Sequence, residues 1–336
     1  MGRTGRYLLA VSVSLLAMLS TAQTVNEGRL CHWMALNNKT NKLYVSNMAT
    51  ANVSVIDTNS NRVIAAIAVG QRPEQIAADE TANRIYVANG LDGTVSVIDG
   101  EQDAVVATVR VGRGPSGVAV HPARKRLYVA NQADDNLSVV DIETNQVVGR
   151  IPTGDTPFAI SVDAQNERAY VSNFKDGTVT IIDTAAERAV GTIETGPRPY
   201  GLALDPDHSL LYVTSFSSAA VAVVDTTANR LLGRLTVGPG PIGVTVDSDW
   251  ARLYVANLQA QTVSVVDTEQ MVVVGTVIGL MAPVCVQVRG RDHSFYVSNR
   301  SANVVSVIDP ETGEFLANIP LAATPGGQWP AELPTD

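Results

Sequence analysis

The chain has 336 residues, a formal net charge of −9 and two cysteines, Cys31 and Cys285. That charge has the wrong sign for an electrostatic footprint on phosphate backbones or anionic lipid. Two cysteines exclude a disulfide framework and leave room for a single bond in an oxidising compartment.

Arg3 and Arg6 precede an apolar stretch from Leu8 to Leu19, and Ser20-Thr21-Ala22 places small residues one and three positions before a cut. Residues 1–22 therefore read as an export signal. The expected location is the periplasm, the cell surface or the medium, and no later stretch is apolar for long enough to span a membrane. In residues 23–29, Thr24 to Gly28 align with the end of a fourth strand, which suggests an N-terminal contribution to the last blade.

From residue 30 onward the chain is periodic. Tyr44, Tyr86, Tyr128, Tyr170, Tyr212, Tyr254 and Tyr296 recur every 42 residues, as do Asp57, Asp99, Asp141, Asp183, Asp225, Asp267 and Asp309. Pro73, Pro115, Pro157, Pro199, Pro241, Pro283 and Pro325 keep the same interval, with Cys31 at the first place of that series. Self-similarity at this period marks a repeat architecture. Each unit holds four short runs rich in β-branched and apolar residues, as at 115–120, 127–131, 137–141 and 147–151, bounded by Gly, Pro, Asn or Asp. No unit shows a helical apolar period. The pattern predicts an all-β chain: a seven-bladed β-propeller of four-stranded antiparallel blades over 30–321, followed by a Pro- and Gly-rich tail, 322–336.

The consensus Tyr-Val-(Ala/Ser/Thr)-Asn followed by Val-Ser-Val-(Ile/Val)-Asp resembles the YVTN family of β-propeller repeats, found in exported and surface-layer proteins. The resemblance covers residues 30 to about 321 and implies the fold; it implies no one activity. Ser215 departs from it, standing where Asn47, Asn89, Asn131, Asn173, Asn257 and Asn299 stand elsewhere, so a looser turn is expected in blade five.

A Tyr, an Asn and an Asp in every blade are architectural, because an active site is made once and not seven times. The Asp and Asn suit turns after the third and second strands, where their side chains bond backbone groups. Function is expected where the blades differ. Two and four residues beyond the Pro position, the innermost strands offer no acid and no His, so metal-dependent hydrolysis or lyase chemistry in the channel is disfavoured and no cofactor or metal is expected. Candidate channel residues are His32, Trp33, Gln75 and Gln287. Asp79, Asp163, Asp205 and Asp247 lie at the far end of the same strands, where each opens a turn. No two of His32, His121, His208 and His293 have metal-ligand spacing.

The loop face is more distinctive. Just after the Pro and Asn positions, blades four and five carry Phe158, Phe174, Tyr200 and Phe216, with Lys175 and Arg198 beside them. Aromatics flanked by cations suit a ligand or partner patch; the competing role is packing beneath the loops or beneath the tail that carries Trp329. Cys31 and Cys285 fall on the innermost strands of the first and last blades, where a bond across the closure seam would complete a loop of roughly 250 residues. The expected function is a non-catalytic binding or scaffold propeller of the cell envelope, a monomer that engages a protein or small ligand. The alternatives are an enzyme, or a propeller subunit of a periplasmic redox complex, and, against the net charge, a binder of single-stranded nucleic acid.

Overall fold

A computed structural model describes residues 33–321. These form seven four-stranded antiparallel sheets, each from one continuous stretch of chain, arranged radially. Blade three is typical: its strands are Pro115–His121, Arg126–Asn131, Asn136–Asp141 and Gln146–Pro152, in that order from channel to rim. The one helical element among the described residues is a 3-10 turn at Pro122–Arg124. The export signal, the 23–29 segment, Cys31, His32 and the 322–336 tail lie outside the described residues.

Strands form here because the inner runs are apolar on both faces and each sheet is sandwiched between two neighbours. The two middle strands are almost wholly buried, while the fourth alternates toward solvent. The seven repeated tyrosines are the largest fully buried side chains among the described residues. One of them ties the last blade to the first: Tyr296 donates its hydroxyl proton to Asn61 Oδ1 at 3.1 Å across the seam.

The repeated Asn and Asp are turn residues, as their recurrence implies. Asn131 Nδ2 donates to Asn136 Oδ1 at 2.9 Å and Ser138 Oγ at 3.0 Å, and Asn131 Oδ1 accepts from Gly112 N at 3.0 Å. Asp99 Oδ1 accepts from the backbone N–H of Glu101 and Gln102. In blade five the ladder register runs through to Ser215↔Ala220, and Ser215 Oγ donates to Pro197 O at 2.7 Å, so that turn is held by a different bond.

Two irregularities recur. In the innermost strand the pairing shifts by one residue just after the proline, so that Pro157 faces Asn173 while Ile160 faces Val171. A second bulge near the middle of each outer strand, as between Val139 and Val140 of blade three, leaves one apolar residue without a partner. Val148 is that residue in blade three and is 52% exposed. Such bulges twist an edge strand and blunt it against pairing with another chain.

Candidate functional site

The bulge after each proline decides what the innermost strand presents. It turns the residue following the proline toward the channel mouth and brings neighbouring innermost strands very close. Gly117 and Gly243 stand where a Cβ would meet the carbonyl oxygen of the next blade, Phe158 O at 2.2 Å and Val284 O at 2.3 Å. Ser116 uses the same approach to donate to Pro157 O and Phe158 O.

Aromatic rings fill the mouth. Phe158 and Tyr200, from adjacent blades four and five, have ring centroids 4.0 Å apart. Tyr200 also meets Phe174 edge-on at 5.9 Å and Phe216 at 6.3 Å. Trp33 belongs to blade one, on the opposite side of a seven-membered ring, yet its indole stacks on Tyr200 at 6.1 Å and 15° and contacts Phe158 at 5.8 Å. The cluster therefore crosses the axis and closes this end of the channel. Phe158 and Trp33 are buried at 6% and 7% exposure, whereas Phe174, Tyr200 and Phe216 remain half-exposed. The structure thus brings all four expected aromatics together, with Phe158 as floor and the other three as surface.

Trp33, expected among the channel residues, joins the aromatics of blades four and five at the channel mouth. Its Nε1–H is buried with no hydrogen-bond acceptor among the described residues. Arg198 is exposed and lies over the Phe174 ring at 5.7 Å, a cation–π geometry. Lys175 pairs with Asp155 at 3.2 Å; the hydroxyl of Thr156 and then Lys175 hold that carboxyl below its ordinary range.

The remaining candidates are dispersed. Gln75 is buried near the mouth, and Gln287 lies at the seam, donating from Nε2 to Met34 O at 3.2 Å. Cys285 is buried, its backbone N–H donates to Ser298 Oγ, and burial pushes its thiol up to about 11. Its expected partner, Cys31, lies outside the described residues, as does His32.

At the far end of the innermost strands a ring of buried polar residues is engaged in turns and neighbouring blades. Asp79 accepts from Thr81 N and Ala82 N, and Asp205 from His208 Nδ1 at 2.9 Å and Ser248 Oγ at 3.1 Å. His293 Nδ1 bonds Asp247 at 2.8 Å beneath the stacked ring of Trp250, and His121 Nε2 lies 3.3 Å from Glu167. Arg124, then Thr184, hold Glu167 down at about 2. Among the described residues no three His, Cys, Asp or Glu side chains gather as a metal site would require. An open cleft of about 320 Å³ between blades three and four is lined by Ala123, Arg124, Arg126, Glu167 and Glu187. Its arginines are paired with its glutamates, at Arg124–Glu167 and Arg126–Glu187. No described helix is long and apolar enough to cross a membrane.

A family model described as YNCE-like beta-propeller matches residues 35–334. Among solved structures, the chain is similar to Kuenenia stuttgartiensis hydrazine synthase, with a TM-score of 0.76 and 20% identity over 83% of this chain and 95% of that one. At that identity the likeness concerns the fold alone. A search of the curated proteins gives no match.

Proposed function

Because the chain belongs to the YNCE-like β-propeller family, a fold that can serve many activities, we propose its function from the mouth alone: it is an exported, non-catalytic binding propeller that engages a protein or small ligand of the cell envelope. The observation that carries this reading is the graded aromatic cluster. A purely structural plug would be buried throughout. Here Phe158 and Trp33 form a rigid floor, while Phe174, Tyr200 and Phe216 keep faces toward solvent beside an exposed guanidinium. Rigid rings held in place before binding lose little conformational freedom when a partner arrives, and aromatic and arginine side chains dominate binding energy.

The far-end polar ring supports the non-catalytic part, since its described acids are satisfied by turn N–H groups, hydroxyls or histidines. A second reading, compatible with a fold shared with hydrazine synthase, is a propeller that serves an enzyme whose chemistry resides in another chain. The mouth would then be the surface that meets that chain. Both readings are tested by replacing Tyr200 and Phe174 with Ala. Capture of partners from an envelope extract should fall while the melting temperature stays within a few degrees; redox-active or metal-bearing partners in the captured fraction would favour the second reading. Unfolding of both single variants would assign the rings to the core and end the proposal.

A further inference from the structure

The two halves of the mouth face differ in charge, and the backbone explains how. The loop entering each innermost strand presents a backbone N–H that needs an acceptor. In blades two to four an aspartate provides it: Gln71 N donates to Asp92 at 2.7 Å, Arg113 N to Asp134 at 2.8 Å and Asp155 N to Asp176 at 2.6 Å. In blades five and six the donor residue is Pro197 or Pro239, which has no N–H. The aspartate is gone with it, its places taken by Ser218 and Ala260. Blade seven satisfies Met281 N with Asn299 Oδ1 at 3.0 Å and carries Ala302. Proline and the loss of the acid go together, and they leave blades five to seven without these carboxylates.

Arg198 stands on that half. It occupies the residue before the strand proline, where the backbone is left-handed, at φ 53°. In blades three and six the same position is Gly114 and Gly240, at φ 63° and 67°, the residue that adopts this conformation without strain. Arg72 also takes it, at φ 54°, but there the side chain is anchored by Glu74 at 2.8 Å. Arg198 has no ion pair among the described residues; its guanidinium rests on Phe174. Thr156 and Ala282 adopt the left-handed conformation too, at φ 60° and 56°, so it belongs to the repeat. What sets Arg198 apart is an exposed guanidinium that no described carboxylate pairs, resting on an aromatic ring beside blades that lack the loop aspartate, which leaves it available to an external carboxylate.

We propose that this half of the mouth docks an acidic segment of a protein partner, whose carboxylate takes Arg198 while an adjacent apolar side chain lies on Tyr200 and Phe216. The proposal rests on the binding-face reading and narrows it. The chain as a whole is at −9, so attraction of an acidic segment depends on local cations, and this half of the mouth adds aromatic faces beside the guanidinium.

The test is selection of a displayed random twelve-residue peptide library on the purified propeller, repeated on Arg198→Gly and on the Tyr200→Ala/Phe174→Ala double variant. Glycine suits the left-handed turn, so Arg198→Gly should fold as well as the parent. The proposal expects selected peptides to carry Asp or Glu next to an aromatic or aliphatic residue. It also expects their affinity to fall about tenfold or more on Arg198→Gly, as loss of a charge-assisted bond implies. Neutral or basic selected sequences, no selected sequences, or acidic ones indifferent to Arg198→Gly would overturn it. Tighter binding of a single-stranded oligothymidine than of the best peptide would overturn it in favour of phosphate recognition. Should the double variant lose the peptides while Arg198→Gly keeps them, the binding face stands and only the carboxylate assignment fails.

Discussion

Blade five shows how one residue's role depends on its partners. In the other blades the turn Asn donates to hydroxyl or amide oxygens, as Asn89 does to Thr94 and Ser96 and Asn173 to Thr178 and Thr180. In blade five the corresponding positions are Ala220 and Ala222, both buried, and the Asn is Ser215. Donor and acceptors have been lost together, which costs little, whereas losing one alone strands the other. Ser215→Asn should therefore destabilise the protein by about 1–3 kcal/mol in denaturant unfolding, because its amide would face two methyl groups. The triple variant Ser215→Asn/Ala220→Thr/Ala222→Ser should recover most of that loss; stabilisation by Ser215→Asn alone would contradict the account. Ser215 was visible in the sequence as a departure, but its compensation was not, since only the ladder shows which residues face it. Trp33 was expected along the channel, and its contacts with Phe158 and Tyr200 at the mouth were not legible from one strand. That an indole from blade one reaches blades four and five depends on the diameter of the closed ring, which no local pattern encodes.

Among the elements, the seam between the last and first blades does most to hold the ring closed. It joins segments distant in sequence, and the described residues on each side are complete four-stranded sheets. The seam is stitched by side chains of blade seven: Gln287 to Met34 O, Arg289 to Thr58 O, and Arg291 to Asn59 Oδ1 at 2.6 Å, while Asn38 Oδ1 accepts from Gly290 N. Arg289 is buried at 8% exposure and also grips Asp292, whose Oδ1 lies 2.8 Å from its Nε. It occupies the place that Asp79, Asp163, Asp205 and Asp247 hold in other blades, so blade seven reaches across with a long donor where its sisters cap a turn. Arg289→Ala should cost about 1–3 kcal/mol by leaving Thr58 O without this donor. Arg289→Lys should recover little, since an ammonium cannot reproduce the fork that binds a carbonyl and a carboxylate together. Arg110→Ala, on an exposed outer strand, should cost under about 0.5 kcal/mol. Equal losses at Arg289 and Arg110 would show that the seam carries no special share of stability.

The whole molecule is a ring with a buried phenol in every blade and a closed aromatic mouth. Burial is the chief cause that pushes Tyr86, Tyr128 and Tyr212 up to about 12, against about 10 for an unfolded tyrosine. Between those values the unfolded chain releases protons that the folded chain retains. The stabilisation is therefore complete below about pH 10 and is lost as pH rises toward 12. Phenolate absorbance beyond what Tyr200 and Tyr7 can supply should appear together with loss of the strand spectrum in that window; ionisation of the repeat tyrosines while the fold persists would contradict the burial. The seven-bladed architecture was legible almost entirely from the unbroken 42-residue register, because each blade repeats the same packing problem. The mouth was legible in part, through aromatics that break the repeat. Whether this mouth is a binding surface or a plug is decided by quantitative capture from envelope extract on immobilised parent and Tyr200→Ala/Phe174→Ala proteins, with melting temperatures measured on the same samples. A binding mouth should show at least about a tenfold loss of the captured partner in the double variant, with a melting temperature within a few degrees of the parent. Undiminished capture, or loss of capture only through unfolding, would contradict it.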